Sequence, residues 1–295
     1  MLRRSILIGD FYFLHFKVMH TCDTPDANNC SILNQGLGAW ALEEHAERLS
    51  RALNIDVSES PRDYNYLLAW DGEESPSGKL FIPFDAVQIA SDKRLQAKLF
   101  NDRGVAIPET ILVETPETVR RIITTRSDIR WCLKYPTSCG ASGHRLLKPD
   151  TEIPIKDWPL PYIVQEFIPS DQPSVYRTYA ANGECFGWNV RKFPEGKTAK
   201  PWVAHAQGAR YEILEEAPPP KAKKEARLAL EVCGLIGSFG CADLLFDTRR
   251  NLWMILEVGT DGLYNHVDRD IGNDAVAREI DRRIGSAFWA WVGKE

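Results

Sequence analysis

Residues 240–258 read GCADLLFDTRRNLWMILEV, in which two apolar runs are separated by a short polar turn. Runs of this length and composition are typical of buried strands, and the turn at residues 248–251 predicts that the two strands form a hairpin. Each strand carries one carboxylate, Asp243 in the first and Glu257 in the second. A carboxylate is costly to bury unless a cation meets it, so the pair is a candidate magnesium site. A salt bridge to Arg177 or Arg191 is the alternative.

The chain before residue 91 predicts strands alternating with helices. This pattern indicates a small α/β domain over residues 1–90. The predicted elements are a strand at 5–10, a loop at 21–31, an amphipathic helix at 38–53, and strands at 54–59 and 64–72.

The middle of the chain follows the order α, β, α, β. Ser91 is the predicted N-cap of a helix that ends at Gly104, a residue suited to the left-handed conformation that stops a helix. Thr115 and Pro116 open the second helix. Extended segments at residues 105–113 and 130–136 follow the two helices.

The last part of the chain predicts an antiparallel meander, because turn residues separate its apolar segments. The candidate strands of the meander are YRTYAAN at 176–182, CFGWNVRKF at 185–193 and WVAHAQG at 202–208, and a separate strand, YIVQEFI at 162–168, comes before them. Helices are predicted at 221–235 and 273–291.

The composition favours a small-molecule or peptide partner. A net charge of −5 argues against a general nucleic-acid binder, because phosphate backbones are held by excess Lys and Arg. We expect a cytoplasmic protein without a membrane partner, since no run approaches the roughly 20 apolar residues of a membrane span and Gly9 and Asp10 interrupt the amino terminus. Seven scattered cysteines predict reduced thiols. A metal site from His15, His20, Cys22 and Cys30 has no familiar spacing, and a loop is the alternative.

Two lysines and a loop of small residues form a second candidate element. Lys93 stands near a helix start and Lys134 within an apolar strand, and TSCGASG follows at residues 137–143. Lysines together with backbone amides suit a polyphosphate. Taken singly, an exposed lysine is usually solvated and a glycine-containing stretch is usually an ordinary loop.

The order of these segments resembles the ATP-grasp superfamily, particularly its RimK-like and D-alanine:D-alanine ligase branches. The resemblance covers about residues 85–268 and rests on five segments: SDKRLQAKLFNDRGVAIPET, WCLKYPTSCGASG, YIVQEFI, YRTYAANGECFGWNVRK and GCADLLFDTRRNLWMILEV. It implies an α/β fold with a pre-ATP-grasp domain at residues 1–90. A central lid subdomain at 91–168 and a C-terminal subdomain with the metal site at 169–295 would follow.

The resemblance also implies roles for individual residues, with ATP and Mg²⁺ (or Mn²⁺) as cofactors. Phosphates would be bound by Lys93 and Lys134 and covered by a loop containing Ser138, Gly140 and Ser142. Adenine would face Gln165 or Glu166 and the backbone of Phe167 and Ile168, with Asp171 at the ribose. Arg191 would meet the transferring phosphoryl group and Arg177 the substrate or a phosphate, while Asp243 and Glu257 would hold the metal.

One position departs from the family pattern. The family commonly has Glu-Val-Asn at the second metal strand, whereas this chain has Glu257-Val258-Gly259, and glycine offers no ligand. Asp261 or Asn265 could replace the missing oxygen, or a metal could be lost or more hydrated.

The resemblance implies a ligase that joins a carboxylate to an amine through an acylphosphate, with an amino acid or peptide as substrate and a homodimer as the family's common assembly. The alternatives are an ATP-grasp kinase for a small molecule and a nucleotide-binding regulatory protein without turnover. Covalent catalysis by Cys139, with His144 nearby in sequence, is a further alternative to a small neutral residue in the loop. His205, Gln207 and Arg210 could approach the substrate or be ordinary surface residues.

Overall fold

A computed structural model describes residues 26–36, 40–154, 158–262, 265–272 and 274–294. The predicted strand at 5–10 and the candidate metal ligands His15, His20 and Cys22 lie outside these residues. Cys30 is described, and it is buried in the first strand. None of the helices in the described ranges is long and apolar enough to cross a membrane.

The first layer is a four-stranded parallel sheet in the order β2-β1-β3-β4. Its elements are β1 (Cys30–Asn34), α1 (Trp40–Leu53), β2 (Asp56–Ser58), β3 (Tyr64–Ala69) and β4 (Lys79–Leu80). The helix and the strands at 54–59 and 64–72 are thereby confirmed. The predicted loop at 21–31 is wrong at its end, where β1 begins. The polar Ser31 is tolerated there because its hydroxyl donates to buried Asn65 Oδ1 at 2.8 Å.

Two consecutive helices lead to the central part, α2 (Phe84–Ser91) and α3 (Lys93–Arg103). Ser91 is therefore the end of α2, and its prediction as the N-cap is wrong. Asp92 caps α3 instead, because its carboxylate accepts from the Arg94 amide. Gly104 ends α3 with a φ of 68°, as predicted.

The central subdomain is an antiparallel sheet in the order β5-β8-β6-β7 with one helix packed on it. Its elements are β5 (Thr110–Val113), α4 (Pro116–Thr125), β6 (Trp131–Lys134), β7 (Arg145–Leu147) and β8 (Tyr162–Glu166). Thr115 caps α4 and Pro116 opens it, as predicted. This subdomain has its own core, in which Val119, Trp131 and Val164 are fully or almost fully buried.

The C-terminal sheet is antiparallel and has the order β11-β10-β9-β12-β13. Its strands are β9 (Ser174–Ala181), β10 (Glu184–Lys192), β11 (Arg210–Ile213), β12 (Phe239–Asp247) and β13 (Leu252–Gly259), accompanied by α5 (Pro220–Val232), α6 (Asn265–Ile271) and α7 (Ala275–Val292).

The strand predicted at residues 202–208 is wrong. Ala204 turns back to the Trp202 carbonyl, a single 3-10 turn spans His205–Gln207, and Gly208 ends it with a φ of 100°. The third strand of the meander starts only at Arg210. Its edge position is therefore supplied by RYEI and not by WVAHAQG.

The first and last parts of the chain share one core. On α7, Phe288 packs against Phe81 and Tyr66 of the first layer, with ring centres 5.5 and 6.5 Å apart. The same continuous set of buried residues includes Phe239 and Ile255 of the C-terminal sheet. The central subdomain has a separate core, and Glu166 of β8 joins it to Arg250 in the turn between β12 and β13.

Candidate active site

Two carboxylates lie side by side on the β12–β13 hairpin. Asp243 and Glu257 are directly paired in the antiparallel register. The register shifts next to them, so that Leu244 pairs with Ile255 and Leu256 is the extra residue of a bulge. Paired residues of an antiparallel ladder point to the same face, so the hairpin presents both carboxylates on one side of the sheet.

Asp243 is neutralised by two arginines. Arg177 Nε and Nη2 donate to its two carboxylate oxygens at 2.6 and 2.9 Å, and Arg191 Nη2 donates at 3.2 Å. The Asp243 side chain is only 2% exposed. Burial raises its pKa, but the two guanidinium groups lower it more, and the pKa stays below its usual value. The salt bridge that was the alternative to metal binding is therefore present, and it involves both arginines.

Glu257 is the more accessible carboxylate. Its side chain is 39% exposed, and Lys93 Nζ lies 3.3 Å from Oε2. Burial within the cleft raises its pKa, whereas Lys93 lowers it, with a net value below the usual range. Glu257 therefore remains ionised and faces the opening beside Lys93.

Lys93 and Lys134 close the other side of the same cleft. Lys93 is the first residue of α3, and its Nζ donates to the Ser138 carbonyl at 2.7 Å. Lys134 is the last residue of β6 and is buried. Burial lowers the pKa of its ammonium group, while Cys132 and Glu257 oppose that change.

These side chains form what we call the cleft cluster: Lys93, Lys134, Arg177, Arg191, Asp243 and Glu257. It contains four cationic groups and two carboxylates, so positive charge exceeds negative charge. Such a surplus within a partly desolvated cleft favours an anionic ligand.

The loop after Lys134 folds into a tight turn beside Lys93. Ser138 Oγ donates to the Ser142 carbonyl at 2.6 Å, and the Ser142 amide donates to the Cys139 carbonyl at 3.0 Å. Gly140 has a φ of 60°, a conformation that glycine adopts without strain. A side chain at this position would come within 3.8 Å of Ala206. The predicted phosphate cover therefore lies between Lys93 and the 3-10 turn.

The ring of His144, the residue considered as a partner of Cys139, contacts the backbone and an aromatic ring. Its Nδ1 accepts from the Tyr135 amide at 3.4 Å. Burial, together with the positive charges of Lys134 and Lys93, lowers the pKa of His144 to about 3, so the ring is neutral at physiological pH. Cys139 is exposed in the loop.

Strand β8 directs its two polar residues, Gln165 and Glu166, to opposite faces of the sheet. Gln165 lines a small cavity shared with Lys93 and Lys134, and its amide donates to Thr110 Oγ1 at 2.8 Å. Glu166 faces the β12–β13 turn, where Arg250 Nη2 and Nη1 donate to its two oxygens at 2.7 and 2.8 Å. Of the two candidates for the adenine, Gln165 is thus the one whose side chain lines this cavity.

The residues after β8 contact the backbone before β6 and an aromatic pair. The Phe167 amide donates to the Arg130 carbonyl at 2.7 Å. The rings of Phe167 and Trp202 meet edge to face at 5.3 Å, and Trp202 contacts His144 in the same way at 5.4 Å. Ile168 is partly buried and Asp171 is exposed in the loop that follows.

The glycine at the end of β13 has room beside it. A Cβ on Gly259 would be 3.5 Å from Cys241 Sγ and 3.9 Å from Asp261 Oδ1, both ordinary contacts. Burial raises the pKa of Asp261, and the Arg177 guanidinium opposes this. Asn265 is the first residue of α6, and its side chain lies outside the described part of the structure. In the described ranges, His, Cys, Asp and Glu form no group of three or more that could hold a metal ion.

Sequence reasoning missed several residues around this site. Arg249 and Arg250 were treated only as turn residues, although Glu166 within an apolar strand signals the need for a cation. Tyr211 was missed because the strand was placed at 202–208. Asp270, at the end of α6, belongs to a segment that the sequence placed near the acceptor pocket without giving this residue a role, and it contacts His205 Nε2 at 3.1 Å and Arg210 Nε at 3.6 Å.

Solved structures with a similar fold include ATP-grasp ligases. The ATP-grasp ligase PsnB, complexed with a phosphomimetic variant of a minimal precursor, Mg and ADP, superposes with a TM-score of 0.60 at 13% identity, covering 89% of this chain and 99% of that one. The D-cycloserine synthetase DcsG gives 0.60 at 15% identity, with coverage of 89% and 99%. The D-alanine–D-alanine ligase from Bacillus anthracis, complexed with ATP, gives 0.58 at 12% identity, with coverage of 90% and 97%.

Neither a protein-family model nor a curated protein matches the sequence. The chain therefore has the ATP-grasp fold that the resemblance predicted, on the evidence of structure and not of sequence identity.

Proposed function

We propose that this protein is an ATP-dependent carboxylate-amine ligase that works through an acylphosphate and releases ADP and phosphate. The observation that carries the proposal is the cleft cluster, where four cations from three different parts of the chain converge on two carboxylates. A polyphosphate with bound metal would complete the charge balance of such a site.

The donor set fits a magnesium ion. Magnesium prefers carboxylate oxygens and phosphate oxygens together, and Glu257 offers a partly exposed carboxylate beside Asp243. Asp243 and Glu257 would hold the ion. When bound, it would offset negative charge on the phosphates.

The chain's own residues would carry out the remaining tasks. Lys93 and Lys134 would bind phosphates as point charges, and the 137–143 loop would cover them and exclude water, which would otherwise hydrolyse an acylphosphate. Arg191 would stabilise charge on the phosphoryl group as it passes from ATP to the substrate carboxylate, and Arg177 would hold the substrate or a phosphate. Gln165 would contact the adenine. An amine would then attack the acylphosphate carbon and displace phosphate.

The substrate class follows by analogy. The structures of PsnB contain precursor peptides, and the D-alanine–D-alanine ligase is named for an amino-acid substrate. We propose an amino acid or peptide as the carboxylate or amine partner here.

One observation favours a second function, nucleotide binding without turnover. Asp243 already receives three hydrogen bonds from arginines, and Gly259 adds no oxygen to the metal shell. A regulatory protein of this kind would bind ATP and release no ADP with any amine and carboxylate pair.

The first test is calorimetric titration of ATP with and without magnesium. We expect magnesium-dependent binding to the wild type that is weakened in Lys134→Ala and in Asp243→Ala. Lys98→Ala is the control for the loss of a lysine, since Lys98 is an exposed lysine on α3 that does not belong to the cleft cluster. Absence of ATP binding by the folded wild type would rule out the ligase proposal, whereas binding would justify a screen of amine and carboxylate pairs for ADP release.

A further inference from the structure

Tyr211 lies against both guanidinium groups of the cleft cluster. Its ring centre is 5.7 Å from Arg177 Cζ and 5.2 Å from Arg191 Cζ. Its hydroxyl accepts from Arg191 Nη1 at 2.5 Å, and the residue is 4% exposed. Tyr211 therefore contacts Arg191 with its ring and its hydroxyl at the same time.

The contacts of Arg191 differ in how a bound ligand would affect them. Arg191 Nε donates to the Val203 carbonyl at 2.7 Å and Nη2 donates to Asp243 at 3.2 Å. Asp243 is also the proposed magnesium ligand, so the metal and Arg191 would compete for one carboxylate. The contacts with Val203 and Tyr211 do not depend on Asp243.

Tyr211 is itself held from two sides. It is the cross-strand partner of Arg191 in the β10–β11 ladder. Its amide donates to Asp270 Oδ2 at 2.8 Å, and the Asp270 side chain is 6% exposed. The tyrosine is thus fixed by β10 and α6, neither of which requires an occupied cleft.

We propose that Tyr211 is the positioning residue for Arg191, which keeps the guanidinium group directed into the cleft when a metal-bound nucleotide draws Asp243 away. This inference rests on the proposed function, since it requires Arg191 to meet the transferring phosphoryl group. The role of Tyr211 is to fix a charge before the reaction, and such preorganised charges act most strongly on the transition state.

The test compares a ground-state probe with a mimic of phosphoryl transfer. The probes are Mg-ADP alone and Mg-ADP with aluminium fluoride, measured by calorimetry on the full chain. Tyr211→Phe keeps the ring and removes the hydroxyl. We expect Mg-ADP affinity to stay within about twofold, while the aluminium fluoride complex weakens about tenfold, as for the loss of one hydrogen bond to a charged group.

Tyr64→Phe is the matched control. The Tyr64 ring also has a cation above it, Lys79 Nζ at 5.5 Å, but it lies in the first layer. This variant should bind both probes as the wild type does. Arg191→Lys should weaken the aluminium fluoride complex, and combining it with Tyr211→Phe should add little, because the two changes remove the same interaction.

The outcomes distinguish a failure of the positioning role from a failure of the proposed function. If Tyr211→Phe binds both probes normally, or loses affinity equally for both, the positioning role is wrong and the proposed function stands. Additive losses in the double variant would also overturn it. A wild type that binds neither probe would overturn the proposed function and the role of Tyr211 together.

Discussion

Two clusters in the described part of this molecule each pair buried carboxylates with two arginines, and their charge balance differs. In the hinge cluster, Glu166 and Asp247 are paired with Arg249 and Arg250. Two acids and two bases cancel there, and both carboxylate side chains are at most 3% exposed. In the cleft cluster the same chemistry leaves a surplus of cations. If nearby Asp261 is also counted as charged, the four cations still outnumber the three carboxylates.

The difference separates a structural contact from a binding site. The hinge cluster joins β8 of the central subdomain to the β12–β13 turn, and its charges are satisfied within the protein. The cleft cluster places like charges together, a cost that a folded protein bears where a ligand completes the balance. Removing a charge should therefore have opposite consequences in the two regions.

The largest effect is expected for Glu257→Ala. Turnover should fall by about a hundredfold or more, because a carboxylate at the proposed metal site is lost. Stability to urea should change by less than about 1 kcal/mol, since the Glu257–Lys93 pair is partly exposed. The measurement is ADP release with an amine and carboxylate pair that the wild type accepts. Undiminished activity would refute the metal assignment, and Glu279→Ala on α7 serves as the control.

In the hinge cluster, Arg250→Met should reduce the free energy of unfolding by about 2 kcal/mol, because Glu166 and Asp247 stay buried with too little positive charge, while solvent screens the partly exposed arginine. Arg249→Met should cost less, since Arg249 contacts Glu166 at only one atom pair, 3.3 Å apart. Urea denaturation of both variants measures the difference. Equal losses of unfolding free energy would show that the two arginines contribute equally and that their contributions do not follow the hydrogen-bond geometry.

In the cleft cluster, Lys134→Met should have the opposite effect. Removing a buried ammonium group relieves its desolvation and its repulsion from Lys93, so stability should stay equal or rise by up to about 1 kcal/mol. Mg-ATP affinity should fall about tenfold or more. A variant that loses both stability and nucleotide affinity would show that Lys134 stabilises the fold, as the arginines of the hinge cluster do.

The fold could be predicted from sequence where local patterns and tertiary packing agree. The β12–β13 hairpin, α4 with its Thr115 cap, and the end of α3 at Gly104 each carry a short-range signal. The failures lie where a distant contact decides. In β1, the buried hydroxyl of Ser31 is satisfied by Asn65, which lies on another strand. Near Ser91, α2 ends and the next residue, Asp92, is the N-cap of α3, so the predicted cap was displaced by one residue.

The same distinction applies to the site. The sequence predicted which cations and carboxylates to examine, and the structure brings Lys93, Lys134, Arg177 and Arg191 around Asp243 and Glu257. The sequence alone could not predict that both arginines bind Asp243, because this contact depends on the order of the strands in the sheet. β9 lies between β10 and β12, so arginines from two strands reach one carboxylate.

A pH-dependent effect should arise from His144 in the cleft. Its folded pKa of about 3 is below the unfolded value, so between about pH 6.5 and 3 the unfolded chain binds more protons. The neutral ring contributes stability that is fully present above about pH 6.5 and is lost as the pH falls. The wild type should therefore lose about 1 kcal/mol of stability through this residue between pH 7 and about pH 5.7, and His144→Asn should remove that loss. Parallel pH profiles for variant and wild type in urea denaturation would contradict this.

The smallest effect is expected for Gly259→Asn, which tests how the cleft cluster completes a metal shell. The glycine leaves contacts of 3.5 Å or more for a new Cβ, so the asparagine should fit without displacing Cys241 or Asp261. If the shell lacks one oxygen, the amide should supply it and tighten the apparent magnesium affinity in the presence of ATP by about threefold, since a neutral ligand gains less than a carboxylate. Gly259→Ala, which adds the Cβ without an oxygen, separates the ligand from the steric change. An unchanged affinity in the asparagine variant would indicate that Asp261 or Asn265 already completes the shell, and the cleft would then resemble the hinge in being satisfied by its own residues.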